Sequence, residues 1–174
     1  MYVKEHVKLS SAAALVALPF LKQEVIIPLT ASILIDADHY LWHAIKYRTL
    51  SLRKAVRFFT QAEPQQEQAS RIFHHPLILG TLLALTVRSH SRFLKLVLAG
   101  MLFHVSLDAL HVTQLKRLKS KLTKQAQNIC PACHQKYAEL QLHTLHVTHN
   151  ILDRYNSRHF MVLCPDCHVE AHKN

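Results

Sequence analysis

Cys130-Pro131-Ala132-Cys133 and Cys164-Pro165-Asp166-Cys167 bracket the last quarter of this chain, and they contain all four of its cysteines. Two C-P-x-C pairs with thirty residues between Cys133 and Cys164 fit a metal site rather than a disulfide framework. Each pair forms a tight knuckle, and two knuckles close a tetrahedral sulfur site for a structural zinc ion. Zinc binding also supplies folding free energy that so short a segment lacks. Residues 128–174 are therefore read as a small zinc module, and four thiolates suit a reducing, cytoplasmic setting.

Between the knuckles, Leu140, Leu142, Leu145 and Val147 alternate like a half-buried strand, with His143 and His146 among them. A polar stretch, 153–158, precedes a second apolar run, 160–163, and Cys167-His168 opens a short helix with His172 one turn on. The expected order is strand–strand–helix.

Upstream, the segment 114–127 places Leu115, Leu118 and Leu122 on one helical face with five basic residues around them. It reads as a solvated connector, set at 113–127. Residues 1–112 read as four or five helices, at about 10–21, 24–47 with breaks near Pro19 and Pro28, 76–87 and 91–111. The glutamine-rich stretch 61–70 reads as a loop, and Pro76 suits the first turn of a helix. Only two glycines in 174 residues argue against a sandwich or barrel. The fold class expected is mainly α: a helical bundle followed by a small zinc-bound ββα module.

The net charge of +10 is concentrated in the middle of the chain. Residues 51–127 carry twelve basic and three acidic side chains, against five and four before them and four and four after. Attraction to phosphate, in nucleic acid or on an anionic membrane surface, is to be sought there. The apolar runs 9–21, 25–35, 76–87 and 94–107 are each about 11–14 residues. That is shorter than the ~20 needed to cross hydrocarbon and closer to buried core helices. The expectation is a buried helical core in the cytoplasm, with membrane association as the alternative. No glycine-rich phosphate loop is present, so no nucleotide cofactor is expected.

Fifteen histidines is a high number, and their placement points to chemistry. Asp36 and His39, three apart and flanking Asp38, end one apolar run; His74 and His75 precede another. His104, Asp108 and His111 fall at i, i+4 and i+7 of an otherwise apolar helix. Three apolar helices each delivering carboxylate and imidazole is how a bundle builds a metal site from facing helices. Nitrogen and oxygen donors suit a second divalent metal: zinc, manganese, iron or magnesium. Asp36, His39, His75, His104 and Asp108 are the primary candidate ligands, Asp38 a candidate catalytic carboxylate, and His6, His74 and His111 the second rank.

These residues resemble the membrane-bound metal-dependent hydrolase family. Its early histidine, D-x-D-H, mid-chain histidine cluster and H-x-x-x-D helix match His6, Asp36-Ala37-Asp38-His39, His74-His75, and His104 with Asp108. The middle cluster departs from the family's longer H-R-x-x-T-H-S run. The resemblance implies hydrolysis without fixing a substrate.

Residues 130–172 resemble the HNH endonuclease family. That resemblance implies His146 as general base and His168 as ligand of a catalytic metal. Leu145 and His159 stand where the family carries a ligand and an Asn or Asp, leaving His143 and His172 as second-rank ligands.

Three functions follow as expectations: a metal-dependent hydrolase acting on phosphodiester bonds, with the zinc module appended; an HNH-type DNA endonuclease; or a non-catalytic zinc module binding nucleic acid or protein. The first is preferred.

Overall fold

The computed structural model describes residues 3–59, 71–146, 150 and 153–172, Val3 by its backbone alone. The loop expected at 61–70 lies outside the described residues, as does Val147 of the first expected strand. The chain divides into two compact units, Met1–Ala109 and Leu110–Asn174. It is mainly helical, with one small antiparallel sheet.

The first unit contains α1 (Val3–Leu21), α2 (Ile26–Leu34), α3 (Ala37–Tyr47), α4 (Leu52–Phe59), α5 (Pro76–Ser89) and the start of α6 (Arg92–Gln125). The break expected near Pro19 falls instead at a 3-10 turn, Lys22–Val25, where Lys22 takes a positive φ of 50°. Pro19 is accommodated inside α1, and Pro28 sits in the first turn of α2, where its missing N–H would have had no helical partner. Left-handed residues end α3 at Arg48 and α5 at His90. α2 and α6 meet at Gly100, where any Cβ would collide with the backbone of Pro28.

Burial in this unit runs opposite to the expected apolar core. The buried side chains are largely polar: Glu5, His6, Ser10, Ser32, Asp38, His43, Thr86 and His104. Large apolar side chains face outward, with Phe20 82%, Ile45 79% and Leu77 70% exposed. The short apolar runs also join through the turn at 22–25. The joined stretch Lys4–Tyr47, and the single helix Arg92–Gln125, are long and apolar enough to cross a membrane.

The second unit begins inside α6. Leu118 is buried and Leu122 packs on the cysteine core, so the segment expected as a solvated connector supplies its leucine face to this unit. Positive φ at Gln127 and Asn128 ends the helical run. Strand β1 (Gln141–Thr144) pairs antiparallel with β2 (Phe160–Leu163), Gln141 opposite Leu163 and Thr144 opposite Phe160. α7 (Pro165–Ala171) follows, its N-cap the Cys164 sulfur, which accepts from the Cys167 N–H at 3.4 Å. The core is Cys130, Leu140, Val162, Leu163 and Cys164.

Candidate metal centres

The four cysteine sulfurs lie within 4.8 Å of one another and form no disulfide. Cys133 and Cys164 are 3.8 Å apart, the edge expected of a tetrahedron with metal–sulfur bonds of about 2.3 Å. Backbone donors stabilise negative charge here, as when Cys164 N–H points at Cys130 Sγ across 3.4 Å. Burial pushes the Cys130 thiol up, but N–H groups of Cys164, Cys133 and Ala132 outweigh it and hold the thiol down at about 6. The adjoining Cys164 sulfur pushes Cys167 up to about 12. Four sulfurs this close do not ionise together without a cation among them. These residues can hold a metal ion.

A second cluster lies in the first unit. It consists of three overlapping ligand groups: His6, His104 and Asp108; Asp36, His74 and His104; and Asp38, His39 and His74. Asp36 Oδ1 is its centre, 3.3 Å from His104 Nε2, 3.6 Å from His74 Nε2 and 3.6 Å from His39 Nε2. Asp108 Oδ2 lies 3.7 Å from His104 Nε2 and 3.9 Å from His74 Nε2. Bonds of about 2.1 Å to a tetrahedral ion would set ligand atoms roughly 3.4 Å apart, close to these separations.

Neighbouring groups aim these donors. His104, fully buried, donates from Nδ1 to the Ser32 carbonyl at 2.7 Å, leaving Nε2 turned to the carboxylates. The Nε2 atoms of His74 and His104 are buried and make no hydrogen bond of good geometry. Such orphaned imidazole nitrogens beside carboxylates fit a cation. Asp38 accepts the N–H of Phe73 at 2.8 Å and of His39 at 2.7 Å, and faces His74 Nδ1 at 3.4 Å. Both oxygens are engaged and the residue is only 2% exposed, so Asp38 stands behind His74 where it can orient that ring. His6 donates to Asp108 Oδ1 at 3.0 Å and stacks on His104 at 3.9 Å.

Of the five primary candidates, Asp36, His39, His104 and Asp108 come together, and His75 does not. Pro76 holds the residue before it extended, so His75, at ψ 131°, becomes the N-cap of α5 and accepts the Leu77 N–H through its own ring. His74 turns inward in its place. His6 joins the cluster, whereas His111 belongs to the second unit and shares a hydrogen bond of 2.7 Å with the Tyr155 hydroxyl. The buried Ser32 and Glu5 were not singled out from sequence. Ser32 acts through its carbonyl, which no residue identity announces. Glu5 had only its place beside His6 as a signal. His43, also buried, packs among Tyr47, Phe58 and Phe59 as a core imidazole.

In the second unit His143, His168 and His172 form a three-imidazole group, with ring centroids 4.7–5.4 Å apart. Among the described residues His146 is not a member of this group. β1 ends at Thr144, so His143 faces α7 and His146 lies beyond the strand, exposed, its ring 6.4 Å from that of His159. His159 donates instead to Asp153 at 2.8 Å. No family model, curated protein or solved structure matches the chain.

Proposed function

We propose that this chain is a membrane-embedded metal-dependent hydrolase acting on phosphodiesters, with its reaction centre in the first unit and a structural zinc in the second. The observation that carries this reading is the cluster of three ligand groups, linked in a chain through His104 and His74, buried among helices whose outer faces are apolar. Buried imidazoles and carboxylates beneath exposed Leu, Ile and Phe suit a lipid surround better than water. The basic α4, with Arg53, Lys54 and Arg57 outward, suits contact with anionic headgroups.

Asp36, His74 and His104 would hold one divalent ion, and the adjoining groups, through Asp108 and His39, offer donors for a second. Such ions would make a bound water nucleophilic at neutral pH and polarise a phosphoryl oxygen. The protein's own part is orientation and proton handling. The Ser32 carbonyl sets the His104 tautomer, Asp38 sets His74, and the His6–Asp108 pair is placed to hold a proton released from water.

The test is metal content by elemental analysis, wild type beside Cys130→Ser/Cys164→Ser. At least one equivalent surviving the double substitution supports the reading. Loss of all metal from it would overturn the hydrolase assignment and leave a zinc scaffold.

The HNH reading is second, favoured by the His143, His168 and His172 group, which offers imidazole ligands to a further divalent ion. Among the described residues no base is positioned beside those ligands, since the His146 ring lies by that of His159 beyond the end of β1. Plasmid cleavage with manganese or magnesium that is lost in His168→Ala and retained in His104→Ala would favour it over the first.

A further inference from the structure

Resting on the hydrolase reading, we infer that the substrate is a membrane lipid: a phosphodiester whose apolar chain lies in a groove between α2 and α6 while its head sits at the His/Asp cluster. The groove has a volume of about 510 Å³, within the range of a site for one small ligand and suited to one chain. Ala31, Ile35, Phe73, Phe93, Val97 and Met101 line it, and Thr30 brings the one polar side chain among its described lining residues.

The groove and the cluster have three pieces of chain in common. Ile35 of the groove precedes Asp36 of the cluster, and Phe73 precedes His74. The Phe73 N–H is also the group that Asp38 accepts, at 2.8 Å. On α6, Met101 stands one turn before His104. A centre that took a water-soluble phosphodiester would need polar groups around the rest of its substrate. The groove wall beside this centre is instead aliphatic and aromatic, without a lysine or arginine. For a chain already dissolved in lipid, burial there adds little affinity. Its effect is to hold the head in register with the cluster, which is a gain in orientation.

The reaction is a balanced hydrolysis. The oxygen of water bonds to phosphorus and the P–O bond to the leaving alcohol breaks. One water proton passes to a protein base, and the departing alkoxide takes up a proton, with no oxidant or reductant involved.

The experiment pairs lysophospholipids bearing choline, ethanolamine or glycerol heads with the same glycerophosphodiesters lacking the acyl chain. Metal-loaded wild type in detergent should cleave a chain-bearing member with kcat/KM at least about tenfold above its chainless partner. Ala31→Trp and Val97→Trp fill the groove from opposite walls. In either variant that keeps wild-type metal content, the chain-bearing rate should fall to that of its chainless partner. Native mass spectrometry of metal-loaded protein with a non-hydrolysable phosphonate lysolipid supplies a readout without turnover: one lysolipid retained by wild type and none by the Trp variants. Equal rates for both substrates, or Trp variants that slow both alike, would overturn the lipid assignment while leaving the hydrolase intact. Failure of loaded wild type to cleave any pair would overturn both.

Discussion

The two units solve opposite problems with similar side chains. In the first, imidazoles and carboxylates are buried and large apolar residues face outward, so its interior is the polar part. In the second, a few apolar residues and four sulfurs form a core too small to be stable on packing alone. The difference teaches what each group of metal-binding side chains is for. The sulfur site is closed, with every donor a cysteine, as a structural ion requires. The His/Asp cluster has overlapping donor groups and orienting hydrogen bonds behind them, which is what the proposed reaction centre asks for.

The strongest test of this contrast is Cys130→Ser/Cys164→Ser. It should remove most of the roughly 10–16 kcal/mol that a structural zinc supplies and unfold the second unit. Hydrogen exchange should show residues 110–172 exposed and α1 and α2 still protected. Loss of protection in both units would break the comparison. Next in size, Asp36→Asn or His104→Ala should lower hydrolysis by at least about 100-fold and remove metal from the first unit only. Elemental analysis alongside the rate measurement separates this from unfolding. Asp38→Asn, which disturbs the orientation of His74 rather than removing a donor such as Asp36, should weaken metal binding about 10–100-fold. Metal titration should show that affinity falls while stoichiometry at saturation is kept.

Smaller again, Gly100→Ala should cost about 1–3 kcal/mol, because its methyl group meets the Pro28 backbone and the helices must separate. Denaturation in detergent reads that cost, and an unchanged midpoint would contradict the close crossing. The smallest effect belongs to Asp153, whose carboxyl is held below the usual range by the His159 hydrogen bond and then by Asn156. A lowered value means the folded state prefers the carboxylate. Its contribution is full above the unfolded value of about 3.9 and is lost as pH falls through the folded one. Asp153→Asn should therefore slightly destabilise the second unit at neutral pH, with a shrinking difference in acid. A difference that grows in acid would reverse the assignment.

Much of this was legible beforehand, for reasons that can be named. Cysteine spacing implied the sulfur site because two short knuckles bring their sulfurs together almost regardless of the rest. His104 and Asp108 were legible because i, i+4 spacing on a helix sets a shared face. His75 was taken for His74 because two adjacent histidines look alike in sequence, although Pro76 already constrains the residue before it. His146 came from the HNH resemblance and His143 stood only in the second rank of ligands; that β1 ends at Thr144, with His143 facing α7, depends on pairing with a partner strand.

By itself, the sequence determined the helical class, the pairing of cysteines into one site, and which helices carry imidazole and carboxylate. These are local properties, set by spacing along one helix or one turn. Only the tertiary structure decided that His6 reaches Asp108, that Ser32 sets the His104 ring, and that the apolar faces point outward. Those facts depend on which face of one helix meets another. Hydrophobic periodicity marks an apolar face equally well whether protein or lipid lies against it.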